Sequence, residues 1–203
     1  MNWPTPGGWL ERLGQSPDAI EGRSRGIAQD LVASRWSGLE AELAAAMVYA
    51  GGDPGLLESI SIQGPIPVLD HRVLTDVDMV RSGLRGPIDP GVATKAPGAA
   101  ELAQAAGTSR AAAGMHLLWQ EYGQGGLVVI GNAPTALLCV LDLAPSAPPA
   151  FVIATCPGFT LAAVAKRALQ DSGLPHIALQ GTRGGSGLAV AAANVLLGGQ
   201  NGT

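Results

Sequence analysis

Asn132 follows the apolar run Leu127-Val128-Val129-Ile130 and precedes Ala133-Pro134-Thr135. A carboxamide both donates and accepts hydrogen bonds, so at the end of a strand it can orient a ligand carbonyl or ring nitrogen. Such an Asn can equally bond its own turn. Pro134 suits the first turn of a helix, and the residues through Leu143 form helix readily. The amides of Gly131, Asn132 and Ala133 would then crown a helix N-terminus, a seat for an anion or a polar ligand edge. Arg183 stands among Gly181, Gly184, Gly185 and Gly187, where a bare backbone lets it pair with a ligand carboxylate. That glycine loop lacks the ending of a phosphate loop and the spacing of a dinucleotide fingerprint, and also reads as a tight turn.

Histidine is scarce. His71 and His176 open strands, His116 lies mid-helix, and all three read as surface or core-edge residues. They have neither metal-ligand spacing nor a Ser–His–Asp arrangement, so no metal site is expected. Cys139 and Cys156 have no paired spacing, which argues against a disulfide framework and fits a reducing cytoplasm. Charged residues are 14% of the 203 and the formal net charge is −4, so nucleic acid is not an expected partner. No apolar run approaches the roughly 18 residues of a membrane span. Trp3, Pro4, Pro6 and Gly7-Gly8 stand where a secretory leader would have a basic flank and apolar core. The low charge and the Ala/Gly richness predict an unusually apolar surface, which favours an oligomer.

The elements that position these residues repeat one pattern. Runs 127–130, 150–154 and 176–179 lack alternation and read as strands buried on both faces. Each feeds a short loop and then a helix: from Pro134 to Leu143, from about Thr160 to Asp171, and one ending near Leu197. Three such units predict a parallel sheet with right-handed crossovers, its loops gathered at one edge. Upstream, Ser16-Pro17 starts a helix to about Val32, and Leu39 to Ala50 forms a second that Gly51-Gly52-Asp53-Pro54 ends. Residues 64–69 are apolar but broken by prolines. Arg72–Thr75 is a short strand and Asp76 caps the helix after it. Residues 85–97 form a loop with one strand. A long helix spans about Ala99 to Tyr122, broken at Gly107-Thr108, with Ala112, Met115, His116 and Trp119 on one face. The expected fold is α/β, a three-layer α/β/α arrangement with a mainly parallel sheet, in one domain over 1–203 whose first 15 residues form a loose arm.

The segment Gly131-Asn132-Ala133-Pro134-Thr135-Ala136-Leu137 resembles the signature of the precorrin-8X methylmutase (cobalt-precorrin-8 methylmutase) family of vitamin B12 biosynthesis. Further segments are similar to that family: Ala19–Ser24, Leu74–Val80, Ser109–Met115, Pro157-Gly158-Phe159, and Gly184-Gly185-Ser186 with Asn194 eight residues on. The likeness runs from about Pro17 to Leu197. It departs where the family carries an Arg-x-x-His-Ala-x-Gly run. Here Ala46 replaces the arginine and Tyr49 the catalytic histidine, within Ala46–Gly52. The later Glu and Ser of the family are absent from Gly158–Lys166, though Lys166 is kept, and Thr182 holds a place expected to be basic.

The resemblance implies an isomerase that moves a methyl group within precorrin-8 to give hydrogenobyrinate, without a cofactor, in a homodimer with its site at the interface. Tyr49 would take the catalytic place. Substrate would be bound by Ser24, Thr75, Asp76, Arg110, Gly131, Asn132, Ala133, Thr135, Gly158, Phe159, Lys166, Arg183, Gly184, Gly185 and Ser186. A phenol is a weaker acid than an imidazolium but can still donate a hydrogen bond to a ring nitrogen. The alternative is a non-catalytic corrinoid-binding paralogue, a carrier or regulator, because the histidine is Tyr49. A structural oligomer with no ligand ranks last.

Overall fold

Residues 16–67 and 72–198 are described by a computed structural model. The expected N-terminal arm and His71 lie outside these residues. In chain order come α1 (Pro17–Val32), α2 (Gly38–Gly51), a 3-10 turn (Pro54–Glu58), β1 (Ile60–Gln63), β2 (Val73–Thr75), α3 (Asp78–Gly83) and β3 (Gly91–Val92). There follow a 3-10 turn (Ala93–Lys95), α4 (Ala99–Ala106), α5 (Arg110–Leu118), β4 (Leu127–Ile130), α6 (Pro134–Leu143), β5 (Phe151–Ala154), α7 (Ala162–Asp171), β6 (His176–Leu179) and α8 (Ser186–Gly198).

The strands form one sheet in the order β1-β6-β5-β4-β2-β3. All neighbours are parallel except the β1–β6 pair, in which Ile60 lies opposite Leu179 and Gln63 opposite His176. Successive side chains point to opposite faces. Leu127, Val129, Phe151, Ile153 and Ile177 therefore enter one core with Leu43 and Met47 of α2 and Ala189 and Ala192 of α8. Val128, Ile130, Val152 and Ala178 enter a second core with Met115 of α5, Leu137 and Val140 of α6, and Leu169 of α7. Burial on both sides explains why these strands read as unbroken apolar runs, and the α/β/α expectation holds.

Local chemistry sets most boundaries. The Ser16 hydroxyl accepts from the Ala19 amide at 3.2 Å and Pro17 follows, so α1 starts as its sequence dictates. The expected long helix splits: Gly107 closes α4 at φ 61°, and Ser109 caps α5 by accepting from the Ala112 amide at 3.1 Å. Its last turn widens to a π-helical turn over Trp119–Gly123. On the predicted apolar face Ala112, Met115 and Trp119 are buried, but His116 is exposed. Three further points correct the sequence reading. The edge strand β1 was not expected at all. His176 is fully buried, with Nδ1 2.8 Å from the Leu174 carbonyl oxygen. Asp76 does not cap α3, whose N-cap Val77 makes no side-chain bond.

Gly114 lets α5 lie against the turn after β3, because a Cβ there would run into the carbonyl of Ala93. Glycine in a helix normally costs up to about 1 kcal/mol relative to alanine. At this position the sign should reverse. Gly114→Ala should destabilise by about 1–3 kcal/mol, the range for overpacking, read as a lower urea midpoint at unchanged slope.

Candidate active site

The loops that follow β2, β4, β5 and β6 open at one edge of the sheet. The chain leaves β2 through α3, whose Val80 enters the first core, and leaves its neighbour β4 through α6, whose Leu137 enters the second. Neighbouring strands with crossovers to opposite faces make a topological switch point, where α/β folds bind ligands. Here the anion seat expected from the sequence is already filled. Asp76 Oδ1 accepts from the Gly131 amide at 3.1 Å, and Oδ2 from the amides of Asn132 and Ala133, both at 2.7 Å. The Asp76 amide donates to the Val129 carbonyl at 3.2 Å, tying the same residue to β4. Burial pushes the Asp76 carboxyl above its ordinary value, and the three amide bonds oppose that rise. Thr75 is also buried, and its hydroxyl donates to the Gly91 carbonyl at 3.2 Å. Asp76 and Thr75 thus face the protein, while the Asn132 residue is exposed at the rim.

The glycine loop after β6 is held from two sides. The Gly185 amide donates to the Thr155 carbonyl at 2.6 Å, and the Thr155 hydroxyl returns a bond to the Gly185 carbonyl at 2.9 Å. Gly184 has φ +156°, and a Cβ on it would meet that Thr155 carbonyl. The Gly158 amide donates to the Thr182 carbonyl at 3.0 Å. From below, Lys166 of α7 donates from Nζ to the Arg183 carbonyl at 2.7 Å. Lys166 is wholly buried, which depresses its pKa. The buried Cys156 thiol beside it is pushed up to about 11 by burial, with the Lys166 charge pulling the other way. From outside, Arg183 Nη1 donates to Asp53 Oδ2 at 2.8 Å, and Nη2 donates to the Gly55 carbonyl at 3.1 Å and the Ser59 hydroxyl at 2.8 Å. Arg183 is therefore a clasp between the glycine loop and the end of α2. Asp53, its partner, carried no signal beyond its place in a helix-ending Gly-Gly-Asp-Pro.

Tyr49 sits on α2 one half-turn before that end and is 36% exposed. The Arg25 guanidinium of α1 stacks on its ring at 4.8 Å from the centroid, a contact worth about 0.5–1 kcal/mol at exposed sites. Several hollows follow the open side of α2, among them one of about 270 Å³ lined by Arg25, Glu42, Ala46 and Tyr49. One of about 310 Å³ is lined by Ser24, Ile27, Tyr49 and Asp53, and one of about 370 Å³ by Arg25, Tyr49, Arg85 and Asn194. Another of about 470 Å³ is lined by Asp53, Pro157, Arg183, Gly184 and Gly185. The Ser24 hydroxyl is turned to its own helix, donating to the Ile20 carbonyl at 2.8 Å. The fold therefore brings Tyr49, Ser24, Arg183, Gly184 and Gly185 to adjoining hollows, and groups Asp76 with Gly131, Asn132 and Ala133. Ser186 is buried at the start of α8, and Phe159, next to Gly158, is 97% exposed. Arg110 and Thr135 belong to the other helical layer, where the Thr135 and Ser109 hydroxyls lie 2.6 Å apart. Among the described residues no three His, Cys, Asp or Glu side chains are grouped so as to hold a metal ion. No described helix is long and apolar enough to cross a membrane.

Two outcomes follow from the buried ionisable groups. Asp76→Asn puts an NH₂ group among three amide donors, so it should cost at least about 2 kcal/mol, since each unsatisfied buried donor costs about 1–3. Urea denaturation reads this directly, and an unchanged midpoint would show that the amides do not depend on the charge. For Lys166 the folded-state pKa lies below its unfolded value. In the window between them the unfolded chain binds more protons, so this group makes stability rise with pH. The raised cysteine pKa values act in the opposite sense, so the comparison with Lys166→Met isolates the lysine. The stability difference, wild type minus variant, should increase on approaching the ordinary lysine pKa from below.

Comparison with known proteins bears on these residues together. Residues 19–198 match the family model described as precorrin-8X methylmutase. The cobalt-precorrin-8 methylmutase of Methanothermobacter thermautotrophicus is 41% identical over 127 residues, 62% of this chain and 60% of that protein, so less than two thirds of its length is spanned. The precorrin-8X methylmutase of a Sinorhizobium species is 36% identical over 180 residues, 80% of this chain and 85% of the relative. Among solved structures, the precorrin-8X methylmutase of Thermus thermophilus superimposes with a TM-score of 0.75 at 29% identity, covering 89% of this chain and 94% of that one. The matched residues include Tyr49, the Asp76 turn and the glycine loop, and the chain belongs to the precorrin-8X methylmutase family.

Proposed function

We propose that this chain is a corrinoid-precursor isomerase that moves a methyl group within precorrin-8 to give hydrogenobyrinate. The observation that carries the proposal is Tyr49, a partly exposed proton donor at the join of three hollows and one turn from the Asp53–Arg183 clasp. The reaction breaks one carbon–carbon bond and makes another between the same methyl and a neighbouring ring carbon. No electrons leave the molecule, so the work reduces to holding the macrocycle and supplying a proton. Tyr49 lends that proton from its hydroxyl and takes it back once the methyl has reached its new carbon, since an isomerisation consumes none, and the rims at Asn132 and Gly184-Gly185 orient the ring. Arg183 positions the glycine loop, and Lys166 supports it from inside.

Each hollow alone suits only part of a macrocycle. A second copy of the chain would close them, and the exposed Phe159, Leu161 and Val164 near the same edge support a homodimer whose interface contains the site. Arg110, exposed at the start of α5, is then free to reach a ligand carboxylate across that interface. The free Cys139 and Cys156 support a reducing cytoplasm as the compartment. The net charge of −4 and the small charged fraction support a small-molecule ligand over nucleic acid.

Incubation of the purified protein with precorrin-8, followed by the visible spectrum of hydrogenobyrinate, tests the reaction. Tyr49→Phe should abolish turnover while hydrogenobyrinate still binds. Tyr49→His should raise the rate at neutral pH, within the roughly 10²–10⁴-fold that general acid catalysis contributes. The double change Ala46→Arg, Tyr49→His restores the family pattern more fully. Equal rates for wild type and Tyr49→Phe would remove Tyr49 from the mechanism. Binding without turnover in every variant would make the protein a corrinoid binder instead.

A further inference from the structure

One hollow beside Tyr49 has a chemistry of its own. The cleft of about 370 Å³ between α2 and α8 is lined by Arg25, Ala46, Tyr49, Arg85, Val190 and Asn194 among others, and none of its lining residues is acidic. Two arginines in a lining with no acidic residue are notable in a chain where 16 acidic residues outnumber 12 basic ones, although Arg25 is paired from outside the cleft with Glu21, and Glu42 lines the adjoining hollow. Specific contacts place the Arg25 guanidinium and the Arg85 backbone. Arg25 is carried on the Tyr49 ring, and Ala46, a turn earlier on α2, leaves the space beside it open. The backbone at Arg85 is held by Asn194, whose Oδ1 accepts from the Arg85 amide at 2.9 Å and whose Nδ2 donates to the Gly83 carbonyl at 3.0 Å, fixing the chain just after α3. Arg25 donates from Nε and Nη2 to a single oxygen, Oε1 of Glu21, at 2.9 and 2.8 Å. That pair is more than half exposed, at 54% and 53%, and such pairs exchange readily with an incoming anion.

We propose that this cleft is a carboxylate subsite, taking an aliphatic carboxylate arm of the ligand between Arg25 and Arg85. The carboxylate displaces or shares the Glu21 contact, its methylene stem lies against Ala46 and Val190, and the Tyr49 ring holds the Arg25 guanidinium in place. Which ligand brings the arm rests on the corrinoid reading above; the carboxylate chemistry does not.

Tricarballylate, a small aliphatic tricarboxylate, is the probe, titrated into the full chain by isothermal calorimetry with its neutral triamide as control. Wild type should saturate at roughly millimolar concentration. Arg25→Gln and Arg85→Gln should each weaken binding by about tenfold, the loss of one charge-assisted contact. Glu21→Gln, which frees Arg25, should tighten it, and the triamide should not bind. Absence of saturable binding, or equal affinity in wild type and both arginine variants, overturns the subsite. The same proteins are then titrated with hydrogenobyrinate. Saturation by tricarballylate with none by hydrogenobyrinate confirms the subsite and overturns the corrinoid reading. Hydrogenobyrinate binding that is indifferent to both arginines overturns the subsite and keeps that reading.

Discussion

A carboxylate buried at the switch point of the sheet holds three consecutive amides in place, and the open edge is arranged around it. Hydrogen bonds to a charged group contribute about 1.5–3 kcal/mol each, so the turn Gly131–Ala133 is held against Asp76 by more than its own backbone preferences. Gly131 has no alternative there, because a Cβ would meet Val80 and the Ser186 backbone. The start of α8 can therefore pack directly over the turn. Asp76 thereby fixes the separation of β2 from β4, the direction of α6, and the approach of α8. Asn132 stands exposed above this hydrogen-bonded base.

The second organising contact is the Asp53–Arg183 clasp. Its two residues are about half exposed, 48% and 47%, so as an ion pair it adds little to global stability. Its value is geometric. Arg183 makes three bonds to Asp53, Gly55 and Ser59, all beyond the end of α2. That ties the helix bearing Tyr49 to a loop that Gly184 and Gly185 leave free of side chains. A planar guanidinium with several donors can join a carboxylate, a carbonyl and a hydroxyl at once.

Lys166 shows how far the fold goes to hold that loop. Burying an ammonium group is costly unless its hydrogen bonds are met. The lysine is nevertheless wholly buried beneath the loop and bonded to the Arg183 carbonyl. The residue that grips α2 through its side chain is thus gripped through its backbone by α7, and the two helical layers meet at one residue.

Amino-acid order alone determined the three strand–loop–helix units, the Ser16 cap, the break at Gly107 and the mainly parallel sheet. Apolar periodicity, caps and glycine breaks act within a few residues of one another, so they are legible along the chain. It also showed which residue types stand at the site, from Tyr49 to the glycine loop. Tertiary structure alone decided where their polar groups point. Asp76 reads locally as a helix cap, yet its amide partners lie 55 to 57 residues away. Arg183 reads as a free cation, yet Asp53 lies 130 residues distant. The strand β1 alternates too briefly to announce itself, and exists because β6 offers an edge for antiparallel pairing. A side chain's hydrogen-bond partner depends on which distant backbone the packing of two cores brings within 3 Å, and no local pattern encodes that.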